Sequence, residues 1–320
     1  MRIKYFAIII LISSVFISCD ESFNPKGTYD ERYSLNCIIR GDTSFQVATA
    51  FKSYDVSSTN PYENKSDSFI DGVFIRMWRG NDEIYIFRDS LMERKDQSRF
   101  ETDIKYYYIN NFVPSAGDAL EIEALLPNGR RLISSTIIPD GVKRNNDNSD
   151  LMLARTLKDV LKTSWTIKNR DQVFLPKLII NYFKEENGVN IREKRIVPWR
   201  KVDVEGKAQY VYPSPSTDYF IEYDLSVIKE VMEDISKDDS DKKKYIMISL
   251  TLELSSFDAN LSSYYFTVGL DNNSFAIGLD EGDYSNIKNG FGIFGSYFTQ
   301  EYKIEFEKGY VTKFGYILYE

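Results

Sequence analysis

Histidine is absent from the 320 residues. That one gap removes Ser-His-Asp and Cys-His catalysis, His-ligated zinc and most haem ligation. Two cysteines, Cys19 and Cys37, allow neither a disulfide framework nor a Cys-rich metal site. A basic excess is missing too. Lys and Arg number 40 against 48 for Asp and Glu, a net charge of −8, which excludes the electrostatic footprint of a nucleic-acid binder. No repeat of roughly 20–50 residues marks a solenoid or propeller, and no long stretch is polar enough to imply disorder. What is present is globular: 42% hydrophobic, 15% aromatic and 28% charged. The length fits one large domain or two ordinary ones.

The N-terminus is the most specific region. Met1-Arg2-Ile3-Lys4 is basic, and an apolar run from Tyr5 to Ile17, broken by Ser13 and Ser14, ends at Ser18-Cys19. Thirteen helical residues reach about 20 Å, short of a hydrocarbon core of about 30 Å. A basic start, a short apolar core and a small residue before the cut describe a secretory signal over 1–18. Phe16-Ile17-Ser18-Cys19 resembles the bacterial lipobox, with Phe where Leu is usual. The resemblance makes Cys19 the acylated first residue of the mature protein, with palmitate among its chains; several acyl chains anchor firmly where one is marginal. Asp20-Glu21 resembles the export signal that carries Bacteroidota lipoproteins to the outer surface. Residues 19–31, with Pro25 and Gly27, read as a lipidated tether.

From Tyr33 the period is two. Tyr33, Leu35, Cys37 and Ile39 alternate with polar positions, Gly41-Asp42 turns, and Phe45, Val47, Thr49 and Phe51 continue one face, with Gln46 on the other. Cys37 falls in the apolar register, as a small buried hydrophobe would. Arg40-Gly41-Asp42 is a chance triplet in a tight turn. Short strands follow over 73–78, 83–87, 104–109, 120–124 and 132–138, which predicts an antiparallel sandwich over 32–140. Residues 141–150, rich in Asn and Asp, read as a linker, and 151–320 as a β-rich domain with one or two short helices. Leu151–Leu161 is read as a short helix. Lys177–Lys184 and Val189–Val197 flank a hairpin turn at Asn187-Gly188, and Asp224 caps a helix carrying Leu225, Ile228, Val231, Met232 and Ile235. Glu301–Phe306 and Tyr310–Tyr319 read as strands.

Without His, carboxylates are the acid–base groups left. Glu121 and Glu123 stand at i, i+2 on one predicted strand face, roughly 7 Å apart, a spacing glycosidases use, although alternating Glu is also the ordinary solvent face of a sheet. Asp271-Asn272-Asn273 and Asp280-Glu281-Gly282-Asp283 offer oxygen ligands but lack the EF-hand spacing, so they read as solvated turns. No metal and no cofactor is expected. Trp78, Trp165 and Trp199 are candidate stacking surfaces, and Tyr106-Tyr107-Tyr108 must put a ring on each face of its strand.

One segment carries a further resemblance. Ser285-Asn286-Ile287-Lys288-Asn289-Gly290-Phe291-Gly292-Ile293-Phe294-Gly295 looks like the C-terminal signature of a Bacteroidota outer-membrane lipoprotein family catalogued as domain of unknown function 4249. Gly117-Asp118, Leu126-Pro127-Asn128-Gly129 and Thr136-Ile137-Ile138-Pro139 fit the family's first half. The resemblance implies an Ig-like or transthyretin-like N-terminal β-domain, a lipid-anchored outer-membrane location facing outward, and an association with a TonB-dependent transporter. It implies no activity. In this sequence Ser285, Asn286, Asn289, Gly290, Gly292, Phe294 and Gly295 read as structural, in a bent and buried strand. The expectation is a non-catalytic accessory or binding protein at the cell surface, its ligand unspecified and nucleic acid excluded. One alternative is a carbohydrate-binding or carboxylate-dependent glycan-hydrolysing surface lipoprotein; another is a structural envelope or adhesion protein.

Overall fold

The structure, a computed structural model, describes residues 29–54, 64–65, 67–145, 151–152, 160–168, 170–267 and 284–319. The chain divides into two units, Met1–Glu31 and Arg32–Glu320, and the described strands and helices lie in the second. The fold is mainly β, with several antiparallel sheets and a few short helices.

Strand β1 (Tyr33–Arg40) turns into β2 (Gln46–Lys52) as the alternation predicts, and buries Leu35, Cys37 and Ile39. In β2 the predicted face is reversed: Gln46, Ala48 and Ala50 point inward, while Val47 is exposed. Gln46 is tolerated inside because both ends of its amide are satisfied. Its Oε1 accepts from Arg40 N at 2.8 Å, and its Nε2 donates to the carbonyls of Thr43 (2.7 Å) and Arg40 (3.0 Å), closing the turn. The aromatics on the other face pair with neighbours instead, Phe45 with Tyr108 and Phe51 with Phe69.

Strands β3 (Phe74–Arg79), β4 (Glu83–Ile86), β7 (Ala119–Leu125) and β8 (Arg131–Ile137) form an antiparallel sheet in the order β4-β3-β7-β8. Its inner residues Ile75, Ile122 and Leu132 share a core with Leu35 and Ile39 of β1. The facing sheet is longer. Beyond β5 (Arg88–Met92), β6 (Ile104–Ile109), β2 and β1 it continues through β17 (Phe294–Phe306), β16 (Tyr245–Phe257), β11 (Phe174–Glu186) and β12 (Val189–Val197). The join is parallel pairing of β1 with β17, Cys37 opposite Phe294. Segments read as two parts, 32–140 and 151–320, therefore contribute strands to one sheet. Short strands β9 (Leu151–Met152) and β18 (Ile317–Leu318) attach to β17 and β16; β10 (Val160–Ser164) pairs with β15 (Phe220–Asp224), and β13 (Arg200–Val204) with β14 (Lys207–Val211).

The β11–β12 hairpin turns at Asn187 and Gly188 with φ of 53° and 79°, the left-handed pair an Asn-Gly turn supplies. Helix α1 (Leu225–Asp234) starts where predicted, with the Asp224 carboxylate accepting from Ser226 N at 2.8 Å. It buries Ile228 and Met232 in a second core with Trp165, Phe174 and Leu252. Two expectations need correction. Residues Leu151–Met152 and Val160–Ser164 are strands rather than ends of one helix, with 153–159 outside the described residues. Residues 308–312 form a helix, not a strand, because Val311 is buried while Tyr310 and Phe314, four apart, meet edge to face.

Both cores lie on one face of the long sheet. Along β17 the even positions Phe294, Phe298, Tyr302, Ile304 and Phe306 serve them in turn, so the odd positions Tyr297, Thr299 and Glu301 stand on the opposite face. Part of that opposite face is covered by helix α2 (Ala259–Thr267). Among the described residues no helix is long and apolar enough to cross a membrane.

Candidate functional site

The signature segment is a brace. Up to Ile293 it is irregular rather than a strand, and regular pairing begins at Phe294. The Asn286 amide replaces a strand partner: its Oδ1 accepts from Phe294 N at 2.9 Å and its Nδ2 donates to Phe294 O at 2.7 Å. Ser285 Oγ accepts from Ile287 N at 3.3 Å. Asn289, at φ 65°, donates to Arg131 O at 3.0 Å on β8, and Gly290 N turns back to Ile287 O. Gly292 has φ +108°, and a Cβ there would lie 2.2 Å from Leu35 O on β1. A Cβ at Gly295 would meet Leu261 and Asp258 at 3.2 and 3.3 Å, so glycine lets α2 approach β17 closely.

Asp258 starts that helix. Its Oδ1 accepts from Leu261 N at 2.7 Å, an N-cap bond, and its Oδ2 accepts from Thr136 Oγ1 of β8. Burial pushes its carboxyl above the ordinary carboxylate range, against the bonds from Thr136 and Leu261 that favour the ionised form. Asn260 Nδ2 adds bonds to Ser135 O and Phe294 O. Two clefts of about 660 and 530 Å³ flank Asp258 and Ala259, but the carboxylate there is committed to capping.

Fixed in this way, α2 roofs a groove of about 260 Å³ on the outer face of β1, β17, β16 and β11. Strand pairing arranges its floor in rows. Lys177, Glu253 and Glu301 are directly opposite one another, as are Leu175, Ser255 and Thr299. In the third row Phe257 faces Tyr297, which lies beside Arg40. Ser255 and Thr299 share a hydroxyl bond of 2.8 Å. Leu261 and Tyr265 descend from the roof, with Tyr265 and Tyr297 5.3 and 6.1 Å from Phe257. Burial raises the Tyr265 and Tyr297 hydroxyls above the usual phenol range, so both stay protonated donors at neutral pH. The Arg40-Gly41-Asp42 turn forms the lip: Arg40 Nε and Nη2 hold the Asp42 carboxylate at 3.2 and 3.1 Å, and Gly41 N donates to Tyr297 O.

Glu253 and Glu301 are neighbours on adjacent strands, where Cα atoms are about 4.5–5.5 Å apart. Among the described residues neither side chain has an ion pair or a hydrogen bond. Like charges directly opposite destabilise a sheet, and Lys177 lies opposite only Glu253. This pair works against the fold, and such conflicts concentrate where a sequence is serving a ligand.

The remaining candidates are dispersed. Cys19, Asp20 and Glu21 lie outside the described residues, as do Asp271–Asn273 and Asp280–Asp283. Glu121 is exposed, but Glu123 is not the solvent-facing partner expected. It is 6% exposed, with Oε1 accepting from Arg76 Nη2 at 2.8 Å and Oε2 from Arg131 Nη1 at 3.2 Å. A carboxylate so committed is a poor acid or base, and the predicted pair dissolves. Cys37 is buried, and burial lifts its thiol to about 12. Trp165 is core, Trp199 packs against that core, and Arg76 covers Trp78 at 4.7 Å. Tyr107 is buried, with Tyr106 and Tyr108 on the other face.

Sequence reasoning missed α2 and the groove. The local signals were Asp258 ahead of a helical stretch and charged Lys177, Glu253 and Glu301 at alternate strand positions. Only register brings those three together. No protein-family model matches the chain, and no curated protein matches it.

Proposed function

We propose that this protein is a lipid-anchored, non-catalytic binding or accessory protein on the outer face of a bacterial outer membrane, working beside a TonB-dependent transporter. The observation that carries the reading is Phe16-Ile17-Ser18-Cys19 at the end of a short, basic-started apolar leader. Asp20-Glu21 after the acylation point supports outward display, and the signature Ser285–Gly295 supports the transporter association by resemblance. Acylation through several chains gives firm attachment to a bilayer. The fixed signature residues and the committed Glu123 and Asp258 favour binding over catalysis, since these groups already serve the fold.

The test is membrane fractionation with palmitate labelling of the wild type and Cys19→Ala. The wild type is expected to incorporate label and sediment with outer membranes; the variant is expected to lose label and keep its leader. An unlabelled, leader-bearing wild type would refute the anchor. Protease treatment of intact cells tests display, and a mild-detergent pull-down tests the partner; recovery of no membrane transporter would refute the association.

A further inference from the structure

We propose that the groove beneath α2 binds a neutral oligosaccharide; the proposal rests on the reading of this chain as a binding protein and adds the class of its ligand. The groove joins two kinds of surface that sugars require together. Tyr265 and Tyr297 supply aromatic area near one end, packed on either side of buried Phe257, and Tyr rings offer apolar faces with a polar tip. Lys177, Glu253 and Glu301 supply a row of unpaired charged groups at the other. Carboxylates accept from adjacent hydroxyls and Lys donates to them, and such charge-assisted bonds are the strong ones. Between the two ends lie the Ser255 and Thr299 hydroxyls, each able to make further bonds. The outer rows are four residues apart along β17, from Tyr297 to Glu301, about 13 Å, room for more than one ring.

The charge balance selects against other occupants. Arg40 is held by Asp42, which leaves Lys177 against Glu253 and Glu301, a net negative site that repels phosphate and nucleic acid. Two carboxylates fall short of the six to eight oxygens that calcium takes, and no group of three or more metal-ligating side chains occurs among the described residues. A neutral polyhydroxylated ligand meets no charge penalty and uses every free donor and acceptor on the floor.

The experiment uses the full chain in mild detergent with maltohexaose, cellohexaose, xylohexaose, mannohexaose and chitohexaose, read by saturation-transfer NMR and calorimetry. At least one sugar is expected to bind. Tyr297→Ala, Glu253→Gln and Glu301→Gln are each expected to weaken it about tenfold, the loss of one charge-assisted bond or one stacking face. The two Glu→Gln variants are nearly isosteric and relieve like-charge repulsion, so they should melt no lower than wild type while binding less. Glu121→Gln, remote from the groove, should bind as wild type. The proposal is overturned if no sugar binds, or if the bound sugar ignores all three groove variants. Binding of tetralysine in place of any sugar, abolished by the Glu→Gln variants, would make this a polycation site and also overturn it. Anchoring is scored separately by Cys19→Ala, so either idea can fail alone.

Discussion

Replacing Gly292 by Ala tests whether the signature segment is a brace. The new Cβ adopts φ +108°, a region costing an L-residue about 1–2 kcal/mol. It would also sit 2.2 Å from Leu35 O, where carbon and its neighbour prefer about 3.5–4 Å. Relief requires β1 to part from the segment. That breaks Leu35 N to Phe291 O (2.9 Å) and Cys37 N to Ile293 O (2.8 Å), each contributing about 1 kcal/mol. The expected loss is therefore about 3–4 kcal/mol, a large share of a stability of about 5–15 kcal/mol. Gly129→Ala is the control: it has φ +83° but nothing within 4 Å of its Cβ, so it should lose only the backbone cost, about 1–2 kcal/mol. Urea unfolding followed by circular dichroism measures both. Equal losses in the two variants would show that the segment yields freely, and the bracing argument would be wrong.

Three further outcomes follow from the described geometry. Arg76→Leu should cost about 3 kcal/mol in the same assay, because it strips buried Glu123 of its 2.8 Å partner while Arg131 remains; Glu121→Gln should change stability by less than about 0.5 kcal/mol. Cys37, with its thiol lifted to about 12, should resist alkylation at pH 8 in the native protein and react on unfolding; peptide mass spectrometry reads the difference. Asp258 titrates above its unfolded value of about 3.9, so the folded state holds that proton more tightly. Its contribution is present in acid and is lost as pH rises through the interval between the unfolded and the raised value. Asp258→Asn should therefore gain on wild type as pH rises through that interval, and a constant difference would refute the assignment.

Strand periodicity, the Asn187-Gly188 turn and the Asp224 cap were legible because each is a local preference of a few neighbouring residues. The proposed leader and acylation point at Cys19 rest on a linear motif alone and lie outside the described residues. Facing was less legible. Gln46 took an inward position that alternation assigned to the solvent side, because three hydrogen bonds to residues within six positions satisfied its amide. Glu123 kept the outer face that alternation assigned it but lost its exposure, because Arg76, 47 residues away, covers it from the next strand.

The sequence by itself determined a β-rich chain, since short-range periodicity is enough for that, and the proposal of a lipid anchor rests on one linear motif. Tertiary structure alone decided that β1 lies parallel to β17, that Asp258 and Gly295 seat α2 against the sheet, and that Lys177, Glu253 and Glu301 share a row. Those residues stand up to 124 positions apart from Lys177 to Glu301. Only closure of the sheet, driven by burying two cores on its other face, brings their charges into one row.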